Sequence, residues 1–130
     1  MNQVSETKKR DTRQRRLTYE AVMKRWDHPT AEQIYQDVRS IDKNISKGTV
    51  YRNLNLLAES KEITLVKVPG ENRFDRTLTN HYHILCKRCG KVVDAPIDYI
   101  SFNESKVEEE TGFKIDKHSI IFEGLCKDCA

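Results

Sequence analysis

No stretch of the 130-residue chain approaches the roughly 18 consecutive apolar residues of a membrane-spanning helix, so no span is expected. The basic N-terminal stretch MNQVSETKKRDTRQRR has no apolar segment behind it, which is not the pattern of a secretory signal. A cytoplasmic protein is the expectation, and stable disulfides are disfavoured there. Cysteine is sparse: the four present fall into two pairs and none is left over. Also missing is the combination of H-x-E with P-C-x-x-C that a zinc deaminase needs, so no enzymatic activity is expected.

What is present is unevenly distributed. The net charge is +3; residues 1–75 hold 15 Lys/Arg against 11 Asp/Glu, and residues 76–130 hold 8 against 9. Six basic residues, Lys8, Lys9, Arg10, Arg13, Arg15 and Arg16, fall within nine positions. Such a run is most often a solvated face. The asymmetry nevertheless marks the first half as the one to meet an anionic partner.

Helical spacing relates Leu17, Ala21, Val22 and Trp26, with charges on the other side. In HPTAEQIYQDVRSI, Thr30 followed three residues later by Gln33 is a capping-box signature, and Ile34, Tyr35 and Val38 form an apolar stripe. After the polar break DKN a third helix opens at Ser46, a good N-cap, with Val50, Leu54 and Leu57 facing inward. Two helices joined by a short polar turn make a helix-turn-helix, whose second helix enters the major groove of DNA. Lys47, Thr49, Tyr51 and Arg52 then point at bases or phosphates, and Arg15 of the basic run joins them. Two β-rich runs around Pro69-Gly70-Glu71-Asn72 follow and read as a hairpin, the wing of a winged helix.

The second half carries the metal chemistry. Cys86-x-x-Cys89 and Cys126-x-x-Cys129 are paired knuckles, the arrangement of a structural zinc whose four thiolates leave no open position. A redox motif would supply one such pair in a βαβ context. His81 and His83 share one face of an extended strand, opposite in parity to Cys86, so they face away from the thiolates. Asp75 and Asp94 are candidate partners, and His28 becomes one if two lobes close. Three imidazoles and two carboxylates suit Fe(II) or Mn(II) and leave room for an exogenous ligand. Beyond them, 97–112 reads as a helix ending at Gly112, and FKIDKHSIIFEG as a strand leading to the second knuckle.

The stretches HPTAEQIY, ISKGTVYRNL, RFD, HYHILCKRCGKVVD and GLCKDC together resemble the ferric uptake regulator family across nearly the whole chain. The resemblance implies an α+β protein, with a winged-helix DNA-binding domain over 1–78 and a small α/β dimerisation domain over 79–130. It implies a homodimer on double-stranded operator DNA, repressing transcription when metal occupies an interlobe site. The chain is most similar to the peroxide-sensing subgroup. Carried over, that subgroup's Fe2+ or Mn2+ ligands fall on His28, Asp75, His81, His83 and Asp94, with Zn2+ on Cys86, Cys89, Cys126 and Cys129, and hydrogen peroxide as the signal. An iron-responsive repressor without peroxide sensing is the alternative; that subgroup usually has Glu where Asp75 and Asp94 stand. Arg52 is common in iron-uptake regulators, whereas some peroxide sensors carry Asn there. A further metal site of the iron-uptake subgroup would need ligands where Asn80 and Tyr82 stand, so it is expected to be absent, with His118 structural.

Overall fold

Three helices form the first part of the computed structural model, which describes residues 4–100 and 104–130, with side chains from Arg10 onward. They are α1 (Val4–Met23), α2 (Ala31–Arg39) and α3 (Lys47–Glu59). Lys8 and Lys9 of the basic run thus lie outside the described side chains. Thr30 caps α2 as a full capping box: its side chain accepts from the Gln33 N–H, and the Gln33 side chain accepts the Thr30 N–H at 2.9 Å. Ser46 caps α3 by accepting the Thr49 N–H at 3.1 Å. Val22, Ile34, Val38, Val50 and Leu54 are wholly buried where the helices meet. At about 1.5–3 kcal/mol per buried side chain, this apolar cluster is the main force holding the helices together.

The wing is the antiparallel pair β1 (Thr64–Val66) and β2 (Arg73–Asp75), with Leu65 opposite Phe74. Gly70 turns it at φ 88°, a left-handed conformation that costs glycine little. Phe74 is buried in the helical core, so the wing is packed against the helices. Strand β2 is also tied to the segment before α2. The Phe74 N–H donates to the Pro29 carbonyl at 2.9 Å, and Arg73 Nη1 donates to the His28 carbonyl at 3.1 Å.

Trp26 departs from the helical stripe expected of it. Because α1 ends at Met23, Trp26 falls beyond the helix and is 73% exposed. The Arg76 guanidinium covers its ring at 3.8 Å and donates to the Met23 carbonyl, which satisfies one of the helix's terminal acceptors.

The chain divides into two units, Met1–Leu78 and Thr79–Ala130. The second holds β3 (His83–Cys86), β4 (Val92–Asp94), α4 (Glu104–Thr111) and β5 (Ile121–Gly124). The sheet order is β4-β3-β5, antiparallel on one side of β3 and parallel on the other. Helix α4 ends before Gly112 (φ 79°) as expected, but 97–100 are not helical. Tertiary bonds hold that stretch instead: the Ile100 N–H donates to the Tyr82 hydroxyl, and Tyr99 is bonded to His118. Positions 101–103 of the expected helix lie outside the described residues. The expected strand through FKIDKHSIIFEG is confined to β5. Among the described residues no helix is long and apolar enough to cross a membrane.

Candidate metal centres

Cys86 ends β3 and Cys89 lies in the tight turn into β4, where the Gly90 N–H closes on the Cys86 carbonyl at 2.9 Å. Parallel pairing sets Cys86 opposite Gly124, and the chain then turns so that Cys126 and Cys129 form the second knuckle. The four sulfurs lie within 4.8 Å of one another, with Cys89 and Cys126 at 3.9 Å. A tetrahedral shell with Zn–S bonds of about 2.3 Å places its sulfurs about 3.8 Å apart, so the cluster fits zinc. The Cys89 and Cys126 N–H groups donate to Cys86 Sγ at 3.5 and 3.3 Å, and these bonds draw its thiol down to about 5. Cys129 is pushed up to about 12, chiefly by its hydrogen bond with Cys126 and by desolvation. Four thiols this close cannot all ionise without a cation; a divalent ion removes the conflict and closes its own shell. None of the four is in a disulfide.

The second set of donors is nitrogen and oxygen, and each unit presents its own group. In the second unit the register places His83 opposite Asp94, and the His81 and His83 rings stand 4.4 Å apart. Only His83 is inside β3, yet the two still share a side, as strand parity predicts. His81 Nδ1 is 2.7 Å from the Thr79 carbonyl, which can only accept, so this nitrogen carries the hydrogen. Nε2 lies 3.0 Å from Asp94 Oδ1, and His83 Nε2 lies 3.7 Å from the same oxygen. A lone pair facing a carboxylate needs a positive charge between them, from a proton or a metal ion. The backbone carbonyl fixing the far nitrogen is the usual outer support of a metal-ligating histidine.

In the first unit, His28 and Asp75 are both buried, and His28 Nε2 lies 3.3 Å from Asp75 Oδ2. The other Asp75 oxygen accepts the Thr77 N–H at 2.9 Å. His28 has φ 55°, a left-handed conformation that costs a side-chain-bearing residue about 1–2 kcal/mol. The bond from Arg73 to its carbonyl holds it there. Taken as chemistry, three imidazoles and two carboxylates without sulfur fit a regulatory Fe(II) or Mn(II).

The residues expected to meet DNA differ in how free they are. Arg15 and Arg52 are exposed on α1 and α3. Thr49 and Tyr51 are half-buried, Tyr51 against the helical core. Lys47 is turned toward α2: its amine sits 2.8 Å from Glu32 and 5.7 Å from the centre of the Tyr35 ring. Sequence reasoning missed the surroundings of His118. Its Nδ1 lies 2.6 Å from Glu104 and 3.0 Å from the Tyr99 hydroxyl, and its Nε2 lies 2.6 Å from the buried Tyr82 hydroxyl. Alternation along the chain was the available signal, since Tyr82 must face away from His81 and His83.

A winged helix followed by a small unit with a zinc-type cysteine cluster and a nitrogen/oxygen donor set defines a metal-binding regulator of the winged-helix class. The chain belongs to the ferric uptake regulator family, whose model matches residues 6–123. It is 37% identical over 124 residues to the peroxide-responsive repressor PerR of Staphylococcus saprophyticus, covering 92% of this chain and 82% of that one. Among solved structures it is similar to the Helicobacter pylori ferric uptake regulator Fur, which has three functional metal binding sites. The TM-score is 0.74 at 27% identity, over 90% of this chain and 79% of that one. It is also similar to the Campylobacter jejuni peroxide stress regulator, with a TM-score of 0.72 at 25% identity over 99% and 100% of the two chains.

Proposed function

We propose that this chain is a metal-dependent transcriptional repressor that senses peroxide, binding operator DNA as a homodimer in the cytoplasm and performing no catalysis of its own. The observation that carries the reading is the orientation of His81. With Nδ1 engaged by Thr79, its other nitrogen faces the Asp94 carboxylate and calls for a cation. His28, Asp75, His81, His83 and Asp94 hold one Fe(II) or Mn(II), while Cys86, Cys89, Cys126 and Cys129 hold zinc.

Because His28 and Asp75 are locked to the loop and wing of the winged-helix unit, engaging them together with His81, His83 and Asp94 restricts how the two units sit. That restriction favours the arrangement in which both α3 helices of a dimer reach the major groove. Arg15, Lys47, Thr49, Tyr51 and Arg52 make the contacts, Lys47 after leaving Glu32. The second copy covers the apolar side chains that the second unit exposes, among them Ile100, Phe113 and Leu125.

When bound, Fe(II) would supply the one-electron step that opens the peroxide O–O bond, which Mn(II) would not; overall, peroxide is the two-electron oxidant of an imidazole, one of its oxygens going to the ring and the other leaving as water. His28 and His83 present buried imidazoles at the centre, and adding one oxygen atom to either ring weakens it as a ligand. The units are then no longer held together and DNA is released. The test uses a duplex enriched by the protein from a random-sequence pool. Its affinity is measured with Fe(II), with Mn(II) and without metal, before and after peroxide. Tight binding with either metal, lost to peroxide only in the Fe(II) form, is expected. A Fe(II) form that peroxide leaves bound would make the protein an iron-responsive repressor instead.

A further inference from the structure

A cleft opens between α1 and α3 within the first unit, lined by Asp11 and Arg15 from one helix and by Thr49, Arg52, Asn53 and Leu56 from the other. The four α3 residues are spaced i, i+3, i+4 and i+7, which places them on a single face. Asn53 stands apart from its neighbours. It is 4% exposed, and its Nδ2 is buried with no hydrogen-bond partner among the described residues. Val50, Leu54 and Leu57 beside it are buried apolar residues, so a leucine at 53 would suit the core better than an amide does. A buried donor left without an acceptor costs free energy, and it calls for an acceptor from outside the chain.

The surroundings specify that acceptor. Two guanidinium groups against one carboxylate leave the cleft with a positive balance, and guanidinium geometry matches phosphate oxygens. Thr49 Oγ accepts the Ser46 hydroxyl at 2.8 Å, which leaves its own hydrogen to donate. We propose that this cleft seats one backbone phosphate of the bound duplex, with Asn53 Nδ2 as the buried anchor and Arg15, Arg52 and Thr49 around it. The proposal rests on the DNA-binding reading above. Contacts to phosphate fix the placement of a protein on the duplex without reading its sequence, so the cleft sets where α3 enters the groove. Asp11 opposes the anion.

The test compares Asn53→Leu, Asp11→Asn and Arg52→Ala with the parent, each full-length and loaded with zinc and Mn(II), on the pool-enriched duplex. For Asn53→Leu the thermal unfolding midpoint should hold or rise while affinity falls about tenfold, the value of one hydrogen bond to a charged group. Asp11→Asn should tighten binding. Replacing successive phosphates by methylphosphonate should find one position that weakens the parent and leaves Asn53→Leu no weaker. A midpoint that falls together with affinity would make Asn53 structural and overturn the proposal, as would parental affinity in Asn53→Leu. Inorganic phosphate that stabilises the parent but not Asn53→Leu, with DNA affinity equal in the two, would assign the cleft to a free anion and also overturn it. Failure of the underlying reading looks different: Arg52→Ala would then bind the duplex as the parent does.

Discussion

The four thiolates come from two knuckles of one unit, whereas the nitrogen and oxygen donors are shared out, His28 and Asp75 to the first unit and His81, His83 and Asp94 to the second. The two sets also differ in what happens without an ion. Thiolates packed as these are cannot all be charged unless a cation lies among them. Each imidazole–carboxylate pair can be completed by a proton, and outer bonds from Thr77, Thr79 and Arg73 hold the groups in place. The sulfur set is therefore bound up with folding. On the proposed reading, the other set can gain and lose its ion while both units stay folded, which is what a sensor requires.

The largest effect expected from breaking this contrast is at the sulfur set. Among its described residues the second unit buries few large side chains, Tyr82, Leu85 and Val92 among them, and α4 buries none. Structural zinc contributes roughly 10–16 kcal/mol in small zinc domains, as much as the whole stability of an ordinary domain. Cys126→Ser is expected to lose zinc by elemental analysis, and with it the cooperative unfolding of the second unit by circular dichroism. A zinc-free protein with an unaltered transition would show that the sulfurs are dispensable to the fold.

His28→Ala should separate the two sets. Alanine at φ 55° bears much the same backbone strain as histidine, so zinc content and the unfolding midpoint should change little. Loss of an outer partner of a ligand alone costs 10–100-fold in metal affinity, so removing His28, a direct ligand on the proposed reading, should weaken Mn(II)-dependent duplex binding by more than about a hundredfold. Trp26, the sole tryptophan, lies two residues from His28, and its fluorescence should follow Mn(II) in the parent and stay flat in the variant. Parental binding by the variant in a gel-shift titration would remove His28 from the centre.

How much of this was legible in the sequence depended on how local the cause was. The caps at Thr30 and Ser46 were readable because the side chain and the amide it serves lie three residues apart. The cysteine pairs were readable because a two-residue gap already makes a knuckle. Parity set His81 and His83 on one side, even though only the second lies in a strand. Other features have distant causes. Nothing near Trp26 announces that Arg76, fifty residues on, lies over its ring and bonds the last carbonyl of α1. The left-handed turn at His28 is held from β2, and the early residues of the expected fourth helix are held by Tyr82 and His118. Nothing in the sequence around Asn53 marks its amide as buried; only the fold shows it.

The smallest change separates the two faces of the strand that leads into the first knuckle. Tyr82 alternates with His81 and His83, so its ring is buried on the far side, where its hydroxyl bonds His118 and takes the Ile100 N–H. His118 is held in turn by Glu104, which lies 2.6 Å from its Nδ1. Tyr82→Phe keeps the ring and its packing but leaves those partners unmet. It should cost the second unit about 1–2 kcal/mol, read as a lower denaturation midpoint at constant zinc. If the sensor face is independent of this one, Mn(II) affinity should stay within about threefold, because the variant removes no donor and no outer bond to one. A loss of Mn(II) affinity as large as that expected for His28→Ala would mean that the tyrosine side sets the histidine side, and that the division between a folding metal and a sensing metal runs through the strand rather than between the two donor sets.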